Sequence, residues 1–344
     1  MSGAEHRRFY DGRRVMITGG LGFIGSNLAR HLVDCGAQVL ILDSLLPDYG
    51  GNLFNIAGIE DAVRVNIADV RQESTMNYLV RDQDVIFNLA GQVSHIDSMQ
   101  DPHTDLEINC RAQLSLLEAC RRNNPAVKVV YAGTRQVYGH ADTLPVTEDH
   151  LVRPTDVNGI NKAAGEYYHL VYNNVFGVRS CSLRLTNVYG PRQLIKHNRQ
   201  GFIGWFIRLA IEDAEIDIYG DGSQVRDFVY VDDAADAFLR AGASDACNGR
   251  AFNVGGLEPT SHRGLVALLL RIAGTGRCRL VEWPPDKKAI DIGSFYADSS
   301  LIARVLGWAP TTTLADGLAR TVAFYRAHLP HYIPPAGEPQ VAVS

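Results

Sequence analysis

Between Arg14 and Asp43 the chain sets the apolar run Val15-Met16-Ile17-Thr18 directly against Gly19-Gly20-Leu21-Gly22-Phe23-Ile24-Gly25. An amphipathic stretch follows, and then a second apolar run, Val39-Leu40-Ile41-Leu42, that ends in an acid. Gly20, Gly22 and Gly25 fit G-x-G-x-x-G, and Gly19, Gly22 and Gly25 equally fit G-x-x-G-x-x-G. A strand that turns at once into a helix needs glycine there, because the turn is tight, the backbone must approach a pyrophosphate, and the helix must lie against the strand. The helix then aims the positive end of its dipole at the phosphates. Asp43 closes the second strand about 20 residues on, where an acid accepts hydrogen bonds from ribose hydroxyls. Its charge repels a 2′-phosphate, so the spacing predicts NAD rather than NADP.

The rest of the first half keeps that rhythm. Short runs at Val63–Asn66, Val85–Leu89, Val127–Ala132 and Ser180–Leu185 alternate with helical spacings at Phe23–Cys35, His103–Asn123 and Val157–Val175. Alternation of this kind predicts an α/β fold, a Rossmann-type doubly wound parallel sheet. After about Pro191 the pattern loosens. Gly220-Asp221-Gly222 is a turn before the run Arg226–Val231, Val254-Gly255-Gly256 closes another short strand, and helical patterns follow at Ser261–Ala273, Ser299–Leu306 and Leu314–His328. Residues 1–190 therefore read mainly as the NAD-binding domain and 191–330 as a smaller substrate-binding lobe, with chain exchange between the two. The Pro-rich end, 331–344, reads as a disordered tail.

Composition excludes several classes. The 344 residues are 46% hydrophobic and carry 33 basic against 38 acidic side chains, without a run of five like charges, so no nucleic-acid footprint is expected. Six cysteines lie scattered without a C-x-x-C pair and the eleven histidines contain no H-x-x-x-H, so neither a disulfide framework nor a metal site is predicted. No stretch has the length of a membrane span and the N-terminus lacks an apolar leader, which predicts a cytoplasmic protein.

With Asn66-Ile67-Ala68-Asp69-Val70, Asn88-Leu89-Ala90, Tyr138-Gly139 and Arg184-Leu185-Thr186-Asn187-Val188-Tyr189-Gly190-Pro191-Arg192 added to the glycine loop and Asp43, the chain resembles the extended short-chain dehydrogenase/reductases. More narrowly it is similar to the NAD-dependent nucleotide-sugar epimerase/dehydratase family, from about Arg14 to Leu329. Gly91-Gln92-Val93-Ser94, Gln200–Phe206 and Gln224–Asp227 are also similar to the CDP-tyvelose 2-epimerase branch. The resemblance implies a sugar ring carbon, C4 or C2, oxidised to a ketone by bound NAD and reduced again by the NADH just formed. It implies cofactor contacts from Gly19, Gly22, Phe23, Ile24, Gly25, Asp43, Asp69, Val70, Leu89, Ala90, Gln92, Asn109, Lys162 and Leu185. For the diphosphate sugar it implies Thr134, Asn187, Arg192, Tyr219, Arg226 and Lys288, the last standing where an arginine is usual. It also implies a homodimer, paired through His103–Asn123 and Val157–Val175 with Leu106, Leu114, Leu117, Tyr168 and Val171 as apolar area.

One position breaks the resemblance. Thr134 holds the family's Ser/Thr, but the family's Y-x-x-x-K falls on Asn158-Gly159-Ile160-Asn161-Lys162, so Asn158 replaces the catalytic tyrosine while Lys162 remains. An amide orients a hydroxyl but abstracts no proton. Tyr138 and His95 are the candidates for a relocated base, and Glu166, next on the helix face, is expected to partner Lys162. Arg135-Gln136 stand where the family's dehydratases carry an Asp-Glu pair for loss of water. An epimerase needs no such pair, so an epimerase is the leading reading. The alternatives are a dehydratase or decarboxylase with a relocated base, and a protein that binds NAD and a nucleotide sugar without catalysis.

Overall fold

A computed structural model of the chain describes residues 3–333. Six strands, β1 (Arg14–Thr18), β2 (Gln38–Asp43), β3 (Val63–Ile67), β4 (Val85–Asn88), β5 (Lys128–Thr134) and β6 (Arg179–Leu185), join Ala251–Val254 in one sheet. All seven are parallel, in the order β3, β2, β1, β4, β5, β6 and Ala251–Val254. The four residues of β4 are all buried, as befits a central strand covered by helices on both faces. Strand order reverses between β1 and β4, which opens a crevice at the carboxyl ends of the strands.

The chain crosses between layers. Beyond residue 190 it returns to the large sheet with the helix Val231–Gly242, which packs on the helix Phe23–Asp34, and with the edge strand Ala251–Val254. A second core gathers the helices Phe202–Ile211, His262–Ala273 and Leu314–His328 beside the parallel pair Glu215–Tyr219 and Arg277–Val281. Ile203, Ile207, Ile216, Leu265, Leu269, Leu318 and Tyr325 fill it.

Three expectations need correction. The stretch His103–Asn123 is not one regular helix: Pro102–Leu106 and Ala112–Asn123 are joined by a π-helical turn, Glu107–Arg111. The wider turn carries the buried Asn109, whose Nδ2 donates to the Gln92 carbonyl and to Asp105. The run Arg226–Val231 is broken at the buried Asp227 into Val225–Arg226 and Phe228–Tyr230, and Val231 already begins a helix. Within the expected tail, His331 stacks on Phe54 at 3.8 Å and the Tyr332 hydroxyl donates to Asn55 Oδ1 at 2.8 Å, so 331–333 are packed. The remainder, 334–344, lies outside the described residues.

Candidate functional site

The crevice at the switch point is a cavity of about 310 Å³ that runs from the glycine loop to the start of the helix Val157–Phe176. Gly19, Gly22, Phe23, Ile24, Gly25, Asp43, Asp69, Val70, Leu89, Ala90, Gln92 and Leu185 line it. The loop leaves no room for side chains. Gly19 has φ +72°, and a Cβ on Gly25 would stand 2.3 Å from the Gly19 carbonyl oxygen. Asp43 is buried, with Oδ2 accepting from Leu21 N at 2.9 Å and Oδ1 from Leu45 N at 2.8 Å. Burial pushes its carboxyl up, and the backbone N–H groups of Leu45, Leu21 and Gly22 oppose that shift. A loop stripped of side chains, with an acid beyond it, fits a dinucleotide. Asn109 is the one expected cofactor residue that does not line the cavity; it lies beneath, holding Gln92.

At the other end Thr134, Asn158, Lys162 and His95 meet on the same cavity. Thr134 ends β5, and its Oγ1 accepts from Gln136 N at 3.2 Å. Lys162 donates to the Ala132 carbonyl at 2.9 Å and lies 4.9 Å above the Tyr131 ring. Burial pulls its ammonium down to about 8, opposed by the Asp105 charge. The unfolded chain holds that proton up to ~10.4, so burial of the charge costs stability fully below about 8, and the cost fades as pH rises toward ~10.4. Lys162→Met is therefore expected to be more stable than wild type at pH 7 in urea unfolding, with a gap that narrows by pH 9 to 10. A gap that widens with pH would contradict this.

Asn158 is held from behind. Its Nδ2 donates to the Gln92 carbonyl at 2.8 Å and to Asp105 Oδ2 at 3.0 Å, while its backbone N–H reaches Ser98 Oγ at 3.2 Å. Asp105 is wholly buried and also accepts from Asn109 and Asn161. With the amide nitrogen so engaged, Oδ1 is the part of Asn158 left to face a substrate, and it accepts rather than donates. Sequence reasoning missed Asp105, and nothing in its local spacing marks it.

His95 opens the helix His95–Gln100, with Nδ1 3.0 Å from Asp156 Oδ2. Asp156 caps the helix Val157–Phe176 through Gly159 N at 2.7 Å and accepts from Gln136 Nε2 at 2.7 Å. Burial pushes this carboxyl up, but the hydrogen bonds and charge of His95, with those of Gly159 and Gln136, bring it below the ordinary value.

The other expected residues divide. Tyr138 lies outside the cavity, its hydroxyl donating to Asn253 Oδ1 at 2.7 Å and accepting from Arg184 at 2.6 Å; burial pushes it up to about 12. That corrects its place among the candidate bases. Glu166 does not meet Lys162. It clasps Arg184 through both oxygens, because β6 presents the guanidinium to that helix face. Asn187 accepts from Arg135 at 3.2 Å and donates to the Asp227 carbonyl, and buried Arg226 lies 3.4 Å from Asp291. Arg135 and Arg226 repel one another, and burial, with that repulsion, brings Arg135 down to about 9. Arg192 instead binds Asn27 at 2.8 Å. Lys288 is exposed, and it is Lys287 that reaches the Tyr219 hydroxyl at 2.8 Å. Among the described residues no three His, Cys, Asp or Glu side chains converge on a metal position.

Residues 15–255 match the NAD dependent epimerase/dehydratase family. The chain belongs to that family. It is 36% identical over 315 residues to the UDP-glucose 4-epimerase of Mycolicibacterium smegmatis, covering 91% of this chain and 98% of that one. It is 30% identical to the CDP-paratose 2-epimerase of Salmonella typhi over 89% and 97% of the two chains. Dehydratases are relatives too, such as the dTDP-glucose 4,6-dehydratase of Streptomyces griseus at 34%, over 94% of this chain and 98% of that one. Among solved structures, the UDP-glucose 4-epimerase of Thermus thermophilus in complex with NAD superposes with a TM-score of 0.82 at 31% identity, covering 92% of this chain and 99% of that one. The fold is thus that of the Rossmann-type epimerases and dehydratases, and the cofactor of the family is NAD.

Proposed function

We propose that this protein is an NAD-retaining nucleotide-sugar epimerase that inverts C4 or C2 of the sugar. The observation that carries the reading is one cavity that joins a glycine loop and Asp43 to Thr134 and Lys162, with Arg135-Gln136 where a dehydratase needs acids. Gly19 to Gly25, Asp43, Asp69, Val70, Leu89, Ala90, Gln92 and Leu185 hold the dinucleotide, which when bound takes hydride from the sugar and gives it back. Lys162 supplies positive charge beside it, and Thr134 donates to the sugar oxygen. Asn187 and Arg226 take the diphosphate, joined by Arg135. Residues 1–190 act mainly on the cofactor and 191–330 mainly on the sugar nucleotide.

Assembly and location extend the reading. No described helix is long and apolar enough to cross a membrane, and we place the protein in the cytoplasm. A homodimer forms through the face where Leu106, Ile160, Val171 and Val175 stand exposed; Leu117 is wholly buried inside the monomer and adds nothing to that face.

Incubation with UDP-, dTDP- and CDP-sugars, followed by NMR of the product, tests the function. Epimerised sugar without net NADH is expected, with NAD retained in preference to NADP, and Asp43→Ala weakens that retention. A 4-keto-6-deoxy product, or tighter binding of NADP, would overturn the reading.

A further inference from the structure

The tyrosine's absence leaves a proton without a carrier, and the ionisable side chains that line the cavity are Asp43, Tyr49, Asp69, His95 and Lys162. Asp43 is tied to Leu21 and Leu45 N–H groups beside the glycine loop, at the dinucleotide end. Asp69 is engaged by Arg71 at 2.6 Å. Burial and the charges of Asp97 and Asp101 push Tyr49 up, which keeps it protonated. Lys162 is spent on the Ala132 carbonyl. His95 is left.

Resting on the epimerase reading, we propose that the His95 imidazole is the acid/base that replaces the family's tyrosine, with Asp156 as its positioning residue. Nδ1 is the buried ring nitrogen, 3.0 Å from the Asp156 carboxylate, while the side chain as a whole is 36% exposed and lines the cavity. The Asp156 carboxylate stands 3.0 Å from Nδ1 without an aligned hydrogen bond in this structure, and its charge favours the proton on Nδ1, which leaves the lone pair on Nε2, the tautomer a base needs. The other charged groups on the elements packed around this helix are engaged elsewhere: Asp97 with Arg199 at 3.3 Å, Asp105 with three side-chain amides, and Asp101 with Thr104 N.

The departures at 135–136 and 158 then belong together. Gln136, standing where a dehydratase has an acid, donates from Nε2 to Asp156 and from its backbone N–H to Thr134 Oγ1. It therefore links the histidine's partner to the residue that meets the sugar oxygen. Asn158, two residues into the helix that Asp156 caps, offers an accepting Oδ1 that orients a hydroxyl without competing for its proton. Nε2 would take the hydroxyl proton while the carbon bearing that hydroxyl gives up hydride, with its two electrons, to the NAD that the glycine-loop end would hold, and a ketone forms. The imidazolium, matched by Asp156, returns that proton to the oxygen when hydride comes back to the opposite face of the ring.

Two measurements decide the assignment. In ¹⁵N spectra of histidine-labelled protein at neutral pH, His95 is expected to show a protonated Nδ1 and a lone-pair Nε2, and Asp156→Asn, which still caps the helix, is expected to abolish that preference. On a nucleotide sugar that the wild type epimerises, His95→Gln is expected to lower kcat by about 10²–10⁴-fold with NAD content unchanged. Asp156→Asn lowers kcat more than it raises KM, and adds nothing in the His95→Gln background. A protonated Nε2 in wild type, turnover surviving His95→Gln, or a further loss from Asp156→Asn in that background would overturn the assignment while leaving the epimerase reading standing. A wild type inactive on every nucleotide sugar fails the epimerase reading, and the proton-transfer role falls with it whatever the spectra show.

Discussion

Glu166→Ala is expected to destabilise the protein by about 3–5 kcal/mol, because it strands a buried guanidinium. Arg184 is 6% exposed and Glu166 1%, and between them run contacts of 2.6, 3.0 and 3.1 Å. Glu166 also accepts from Ser182 Oγ at 2.8 Å, and Arg184 reaches on to the Tyr138 hydroxyl at 2.6 Å and so to Asn253. The pair thereby pins the helix Val157–Phe176, which carries Asn158 and Lys162, to β6 of the sheet. Deleting the carboxylate removes the partner but not the cost of keeping Arg184 dry. The double variant Glu166→Leu/Arg184→Met is expected to recover most of the loss, since apolar replacement of both members leaves no orphaned charge. Urea unfolding of the single and double variants checks this. A loss below about 1 kcal/mol in Glu166→Ala would mean that water reaches the guanidinium and the pair behaves as an exposed one.

This ion pair shows where sequence reading stops. Spacing places Glu166 one turn beyond Lys162 on the same face, and from the helix alone Lys162 is the natural partner. The better partner comes from β6, and the choice is made by the register of a helix on a sheet, which no local pattern encodes. The dinucleotide end was legible for the opposite reason. A strand, a glycine turn, a helix and an acid are continuous in the chain, and two of the glycines are demanded by a contact within a few residues, Gly22 and Gly25 against the Gly19 carbonyl.

The sugar end is assembled from distant pieces. His95 and Asp156 are far apart in sequence, and Asp105 reaches Asn158 only because the helices at 102–106 and 157–176 pack together. The pattern Glu215-Ile216-Asp217-Ile218-Tyr219 alternates as a half-buried strand should, yet its partner Arg277–Val281 is largely exposed and carries no such signal. Lys288 illustrates a third failure. Charge is readable from the sequence, but in a short helix one residue decides which lysine turns inward, and here Lys287 does.

Lys162→Ala and Thr134→Val are each expected to lower turnover of a nucleotide sugar by about 10²–10³-fold, the effect of removing a preorganised donor or charge from a closed site. Lys162 is buried against the Ala132 carbonyl and the Tyr131 ring, so its charge acts on the cavity from a fixed position that a water cannot reproduce. Asn158→Ala is expected to cost only about tenfold, because it removes hydrogen bonds worth ~0.5–1.5 kcal/mol each. Asn158→Asp is nearly isosteric yet should be the worse of the two. Its carboxylate would stand where Nδ2 now lies, 3.0 Å from Asp105 Oδ2, in a pocket where two like charges cannot both persist. The order of kcat/KM, wild type above Asn158→Ala above Asn158→Asp, therefore separates an amide that orients from one that carries chemistry. If Asn158→Ala falls as far as Lys162→Ala with NAD content intact, the amide takes part in bond making. If Asn158→Asp exceeds Asn158→Ala, a carboxylate at this position restores a base, and the clamp around Asp105 is looser than its three amide contacts require.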